Sequence, residues 1–214
     1  MTIEFSAYYI LSNEVQSRWE RTLALQRKLW PEWTSIRKVF VVDRAYKFES
    51  SLHPMGDVVR IDLFNKQRHV LFSRAKNEGL RWAERSGVDW ILDADADCVI
   101  VRPPVRTPET QYSSMLCHFQ REDESLDELE RKAVAGFLEE RHFSRFLLGR
   151  GVFSSRRFDE EFHGYGGEDV DFHLSLIQRD GITWSDCGMR GINLYHPLGA
   201  RPGNIERLKQ KKYL

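Results

Sequence analysis

The chain has no surplus charge of either sign: 32 basic side chains balance 32 acidic ones. That balance removes any global electrostatic argument for nucleic acid or an anionic membrane as partner. One local basic stretch, Lys209-Gln210-Lys211-Lys212, reads as a solvated tail. Cysteine is scarce. Cys98, Cys117 and Cys187 are an odd, irregularly spaced set, neither a disulfide framework nor a paired-cysteine zinc pattern, and they suit a reducing compartment. No run approaches the ~20 apolar residues of a membrane span. Met1 to Ser6 lack the basic flank and apolar stretch of a signal peptide. The expected location is cytoplasmic, with any work at a membrane done from its periphery. No internal repeat, low-complexity tract or linker divides the chain.

What is present describes an ordinary globular protein, with 41% hydrophobic and 30% charged residues over 214 positions. That length buries a core without disulfides. Strand-like segments at Phe5–Leu11, Lys38–Val42, Val58–Leu63 and Asp89–Leu92 alternate with helical periodicity over Glu14–Trp30, stopped by Pro31, and Leu71–Ala83, ended by Gly87. Such alternation predicts an α/β fold with an open, mostly parallel sheet covered on both faces. Further on, the charged Asp123–Leu148 region predicts one or two helices. Gly151–Ser155 predicts a strand, Val170–Arg179 a helix closed by Gly181, and Gly191–Leu194 a last strand. One domain spanning 1–214 is expected, its halves meeting near 102/103.

The sharpest local signal is Trp90-Ile-Leu-Asp93-Ala-Asp95-Ala-Asp97. Side chains on a strand repeat with period two, so Asp93 and Asp95 project together. Ligands of open parallel sheets bind beyond the carboxyl ends of strands, where these carboxylates fall. Packed like charges need a compensating cation, and carboxylate oxygens suit magnesium or manganese. An EF-hand loop is excluded, because its required glycine and glutamate positions hold Cys98 and Pro104. A haloacid-dehalogenase-type phosphatase fits poorly too, with the motif far from the chain start and Asp97 two residues on.

A second signal is Gly164-Tyr-Gly166-Gly167-Glu168-Asp169 ahead of a helix. Its glycines permit a tight turn, and its acidic pair suits either a site or simple helix capping. A third is His196 in Asn193-Leu-Tyr-His-Pro197, a histidine able to complete a carboxylate–imidazole metal site or to serve the structure alone.

Together these motifs resemble the GT-A glycosyltransferases, in particular the C-terminal half of the β-1,4-galactosyltransferase family and the related polypeptide N-acetylgalactosaminyltransferases. Phe72-Ser-Arg74-Ala-Lys-Asn77-Glu-Gly79 looks like the segment preceding the metal motif, and Asp93-Ala-Asp95 like the Asp-x-Asp motif itself. Phe153 to Asp159 and Gly164 to Asp169 look like the acceptor-side block, with Tyr165 where the family usually has tryptophan. His196, followed by Asn204 and Arg207, resembles the closing metal-ligand segment. The likeness runs from Tyr8 to about Leu208 and is weakest over 103–148.

The resemblance implies transfer of a sugar from a nucleoside-diphosphate donor, a UDP-sugar, to an acceptor hydroxyl, with a divalent metal, manganese in preference to magnesium. It implies Asp43 at the nucleotide base, Arg74 and Asn77 lining the nucleotide pocket, and Gly166 and Gly167 against the nucleotide sugar. Asp93 would touch ribose or metal, and Asp95 and His196 would ligate the metal, with Asp97 as an alternative carboxylate. Asp169 would be the general base of an inverting displacement and Glu168 would position hydroxyls. Where the galactosyltransferases often carry methionine three residues before the histidine, this chain has Asn193, a harder oxygen donor. The rival readings are a nucleotidyltransferase, for which Ser12-Asn13-Glu14 offers no basic glycine-rich loop, and a domain that binds a glycan or protein without catalysis. The acceptor stays open among glycans, lipid-linked saccharides, proteins, small molecules and modified nucleobases.

Overall fold

The computed structural model describes residues 3–67, 69–138, 141–164, 166–195 and 202–211. Eight strands form one sheet: β1 (Ser6–Leu11), β2 (Lys38–Asp43), β3 (Asp57–Ile61), β4 (Trp90–Asp95), β5 (Cys98–Arg102), β6 (Tyr112–Phe119), β7 (Arg141–Gly149) and β8 (Arg190–Asn193). Their spatial order is β3-β2-β1-β4-β7-β6-β8-β5. The first four are all parallel. In the second half β7 runs antiparallel to β4 and β6, β5 runs antiparallel to β8, and β6 and β8 are parallel. The helices are α1 (Gln16–Leu29), α2 (Phe72–Ser86), α3 (Leu126–Ala135), α4 (Arg150–Phe153), α5 (Glu168–Leu174) and α6 (Pro202–Gln210).

The sheet separates two hydrophobic layers, and β1 shows why. Ala7, Tyr9 and Leu11 point into one layer with Trp19, Trp33 and Phe40. Tyr8 and Ile10 point into the other with Val39, Val41, Leu80 and Phe172. This period-two division on a strand buried on both sides is the packing expected of a parallel sheet covered by helices. α2 supplies the second cover. It ends at Gly87, whose φ of 68° lets its amide reach back to the carbonyls of Ala83 and Glu84.

The second half corrects two expectations. The 123–148 region holds a single helix, α3, capped by Ser125 at its start and by left-handed Gly136 at its end. From Arg141 onward that region belongs to strand β7, because Leu147 faces one hydrophobic layer and Phe146 and Leu148 face the other. Gly151–Ser155 is no strand. Val152 and Phe153, adjacent in sequence, are buried in the same layer, which the short helical turn α4 allows and an extended segment does not. Among the described residues no helix is long and apolar enough to cross a membrane.

Candidate active site at the carboxyl ends of the strands

Parallel pairing sets Tyr8 of β1 beside Asp93 of β4, and Ile10 beside Asp95. The acidic run therefore leaves the sheet at the carboxyl edge of its central strands. Asp93 is fully buried, Asp97 nearly so, and Asp95 keeps 28% of its side chain exposed. Buried carboxylates need compensation, and three cations supply it. Lys76 of α2 donates from Nζ to Asp93 Oδ2 at 2.6 Å and to Asp169 Oδ1 at 2.7 Å. Arg145 of β7 pairs through Nη2 with Asp95 Oδ2 at 3.0 Å and Asp97 Oδ1 at 3.3 Å, while Arg18 of α1 lies 3.9 Å from Asp97 Oδ2. Asp97 is thus held between two arginines. Of the three aspartates, Asp95 is the most exposed.

The glycine turn brings the other carboxylates to the same place. Gly166 and Gly167 have φ of 83° and 98°, values at which a side chain is strained. A Cβ on Gly167 would also lie 3.0 Å from the Phe162 ring and 3.2 Å from Asn204 Cβ. Asn204 of α6 fixes the turn by donating to the Gly166 carbonyl at 2.5 Å. α5 then starts with Glu168, buried, and Asp169, 32% exposed and turned toward Lys76.

Electrostatically the cluster is unfinished. Burial, then the charges of Asp169 and Asp95, push Asp93 up to about 6 despite Lys76. Burial and the neighbouring Asp169 push Glu168 up to about 8. Burial alone would lower Lys76, but Asp169, Asp93, Asp95 and Glu168 hold it well above the ordinary lysine value. Burial and Asp93 raise the Tyr8 phenol, which faces that carboxylate without a well-formed hydrogen bond. Asp93 Oδ1, Asp95 Oδ1, Glu168 Oε2 and Asn193 Oδ1 are buried oxygens with no hydrogen-bond partner among the described residues. Asn193 joins this edge because β8 pairs it with Cys98 and the next amide, Leu194, donates to the Asp97 carbonyl at 2.9 Å.

These orphaned oxygens are hard donors and fit a hard divalent cation. No group of three histidine, cysteine, aspartate or glutamate side chains gathers at metal-binding distance among the described residues. His196, and Tyr165 in the glycine turn, lie outside the described residues.

The remaining anticipated residues have plain placements. Asp43 closes β2, and its carboxylate accepts from the amides of Ala45 (3.2 Å) and Leu63 (3.1 Å), shaping the loop two strands away from β4. Arg74 is exposed on α2. Asn77 is buried and commits its amide to the acceptor-side block. It donates to the Phe158 carbonyl (3.0 Å) and Glu160 Oε1 (2.9 Å) and accepts from the Phe158 amide (2.8 Å). Motifs alone do not point to Lys76 or Arg145, which the structure adds to the site. For Lys76 the available signal is a lysine in the apolar stripe of α2, four residues before Leu80 and seven before Ala83.

A parallel half-sheet ending in acidic tips, joined through an antiparallel strand to a mixed half bearing a glycine–glutamate–aspartate turn, is consistent with a GT-A-like fold. The structure of GalNAc-T7 with UDP, GalNAc and Mn2+ superposes on 98% of the chain with a TM-score of 0.64 at 16% identity. The chain spans about half of that protein, covering 48% of it. At that identity the likeness is one of fold. No family model matches the sequence, and no curated protein matches it either.

Proposed function

We propose that the protein is a metal-dependent glycosyltransferase that moves a sugar from a nucleoside diphosphate, a UDP-sugar, to an acceptor hydroxyl with inversion. The observation carrying this reading is the convergence of Asp93, Asp95, Glu168 and Asp169, from strand tip and glycine turn, on one carboxyl edge with buried oxygens left unpaired among the described residues. Fixed oxygens without partners are costly unless a ligand uses them. The same fold accompanies UDP and Mn2+ in GalNAc-T7, which supports the donor class and a divalent metal.

Asp95 and Asn193 are the residues best suited to hold the metal, with His196 as a further ligand and Asp93 behind them. A divalent ion held by them would supply Lewis-acid stabilisation of negative charge on the leaving diphosphate. Asp169, anchored on one oxygen and partly exposed, takes the proton of the attacking hydroxyl. Glu168, protonated at neutral pH by its raised pKa, donates a hydrogen bond to hydroxyls at the reacting centre. Asp43, Arg74, Gly166 and Gly167 fall to the nucleotide-sugar side.

Asp169→Asn tests the chemistry. It keeps nucleotide-sugar affinity and loses transfer by ~10²–10⁴, the usual worth of general-base catalysis. Transfer at the wild-type rate removes Asp169 from that role.

A further inference from the structure

Lys76 contributes to this site in a way its neighbours do not. It is rooted in the second turn of α2, its side chain is 1% exposed, and its ammonium lies 5.1 Å from the Phe158 ring centroid. From there it bonds two parts of the chain at once: Asp93 on strand β4 of the first half and Asp169 on helix α5 of the second. The helix that carries it cannot drift. Gly79, one turn on, lies so close to Tyr8 that an added Cβ would sit 2.5 Å from the ring, and Asn77 ties the same helix to the Phe158 backbone. A lysine used only to neutralise Asp93 would not need Asp169, which has water available at its exposed edge.

We propose, building on the glycosyltransferase reading, that Lys76 is a positioning residue that holds the Asp169 carboxylate at a fixed distance and orientation from the donor-side strand. Gripping one oxygen through a short charge-assisted bond stops the carboxylate from rotating and leaves its other oxygen for the acceptor hydroxyl. Small misplacements of a reacting group cost large factors in rate. The distance is set by an unbranched ammonium. Arginine, longer and planar, does not reproduce it.

The test is a double-mutant cycle between Lys76 and Asp169, with each variant's melting temperature and UDP affinity measured beside its transfer kinetics. Lys76→Met in the wild-type background lowers kcat by ~10²-fold and changes donor KM by less than about threefold. In the Asp169→Asn background the same substitution lowers the residual transfer rate no further, because the group it acts through is already gone. Lys76→Gln, which keeps a donor and is isosteric enough to fold if methionine is not tolerated, falls between the two. An equal loss in both backgrounds, or a loss confined to donor KM or to melting temperature, overturns the proposal. If Asp169→Asn itself leaves transfer intact, the failure belongs to the general-base reading instead.

Discussion

Two buried charge clusters in this protein are built from similar side chains and reach opposite states. At the end of β6, Glu124 receives hydrogen bonds from Lys132 Nζ (2.5 Å), from the Arg121 amide (3.2 Å) and from His118 Nε2 (3.0 Å). Burial works against its ionised form, but those partners outweigh it and hold the carboxyl down at about 2. The strand-tip cluster has its own lysine and arginines, yet Asp93 and Glu168 are pushed up, to about 6 and about 8, and four oxygens have no hydrogen-bond partner among the described residues. A cluster that serves only the fold closes its valences. One that serves a ligand leaves them open and loses some stability for it.

Substitution by the neutral isostere separates the two. Glu124→Gln removes one partner of a satisfied buried network and costs about 3 kcal/mol of unfolding free energy, measured by chemical denaturation at pH 7. The pH dependence comes from the sign of the shift. A folded-state pKa of about 2, below the ordinary carboxylate value, gives stability that is complete above about pH 4.5 and drains as pH falls through about 2. An unchanged denaturation midpoint for this variant would erase the distinction.

Glu168→Gln moves the other way and by less. With a folded pKa of about 8, Glu168 costs stability, a cost that is absent below about pH 4.5 and grows as pH rises toward 8. The glutamine variant melts above wild type at pH 8 and level with it near pH 4. Destabilisation at pH 8 would mean that Glu168 is a structural partner after all.

The first four strands and the acidic tip were legible in the sequence because the physics there is local. Buried branched and aromatic residues define β1 and β2, and the apolar run before Asp93 must end at the sheet edge. β5, β6 and β7 were not, because their pairing depends on partners far along the chain. β7 lies against β4 and β6, and its register with β6 is irregular around Met115 and Leu116. Arg145 was hidden by the same non-local pairing. The glycine–glutamate–aspartate turn was readable as a motif, but its approach to Asp93 depends on Lys76, a charge that helical periodicity assigns no purpose inside an apolar stripe. His196, expected as a metal ligand, lies outside the described residues.

The central claim is that the carboxyl edge takes a nucleotide sugar together with a divalent ion. Its most direct test is a thermal-shift panel of nucleotide sugars with and without manganese, run on the wild type and on Asp95→Asn, since a ligand bound only by the native state raises its melting temperature. The expected result is that a UDP-sugar stabilises the wild type in the presence of manganese, that the shift shrinks sharply without it, and that Asp95→Asn abolishes it. Stabilisation by no nucleotide sugar, or a shift indifferent to both metal and Asp95, would contradict it.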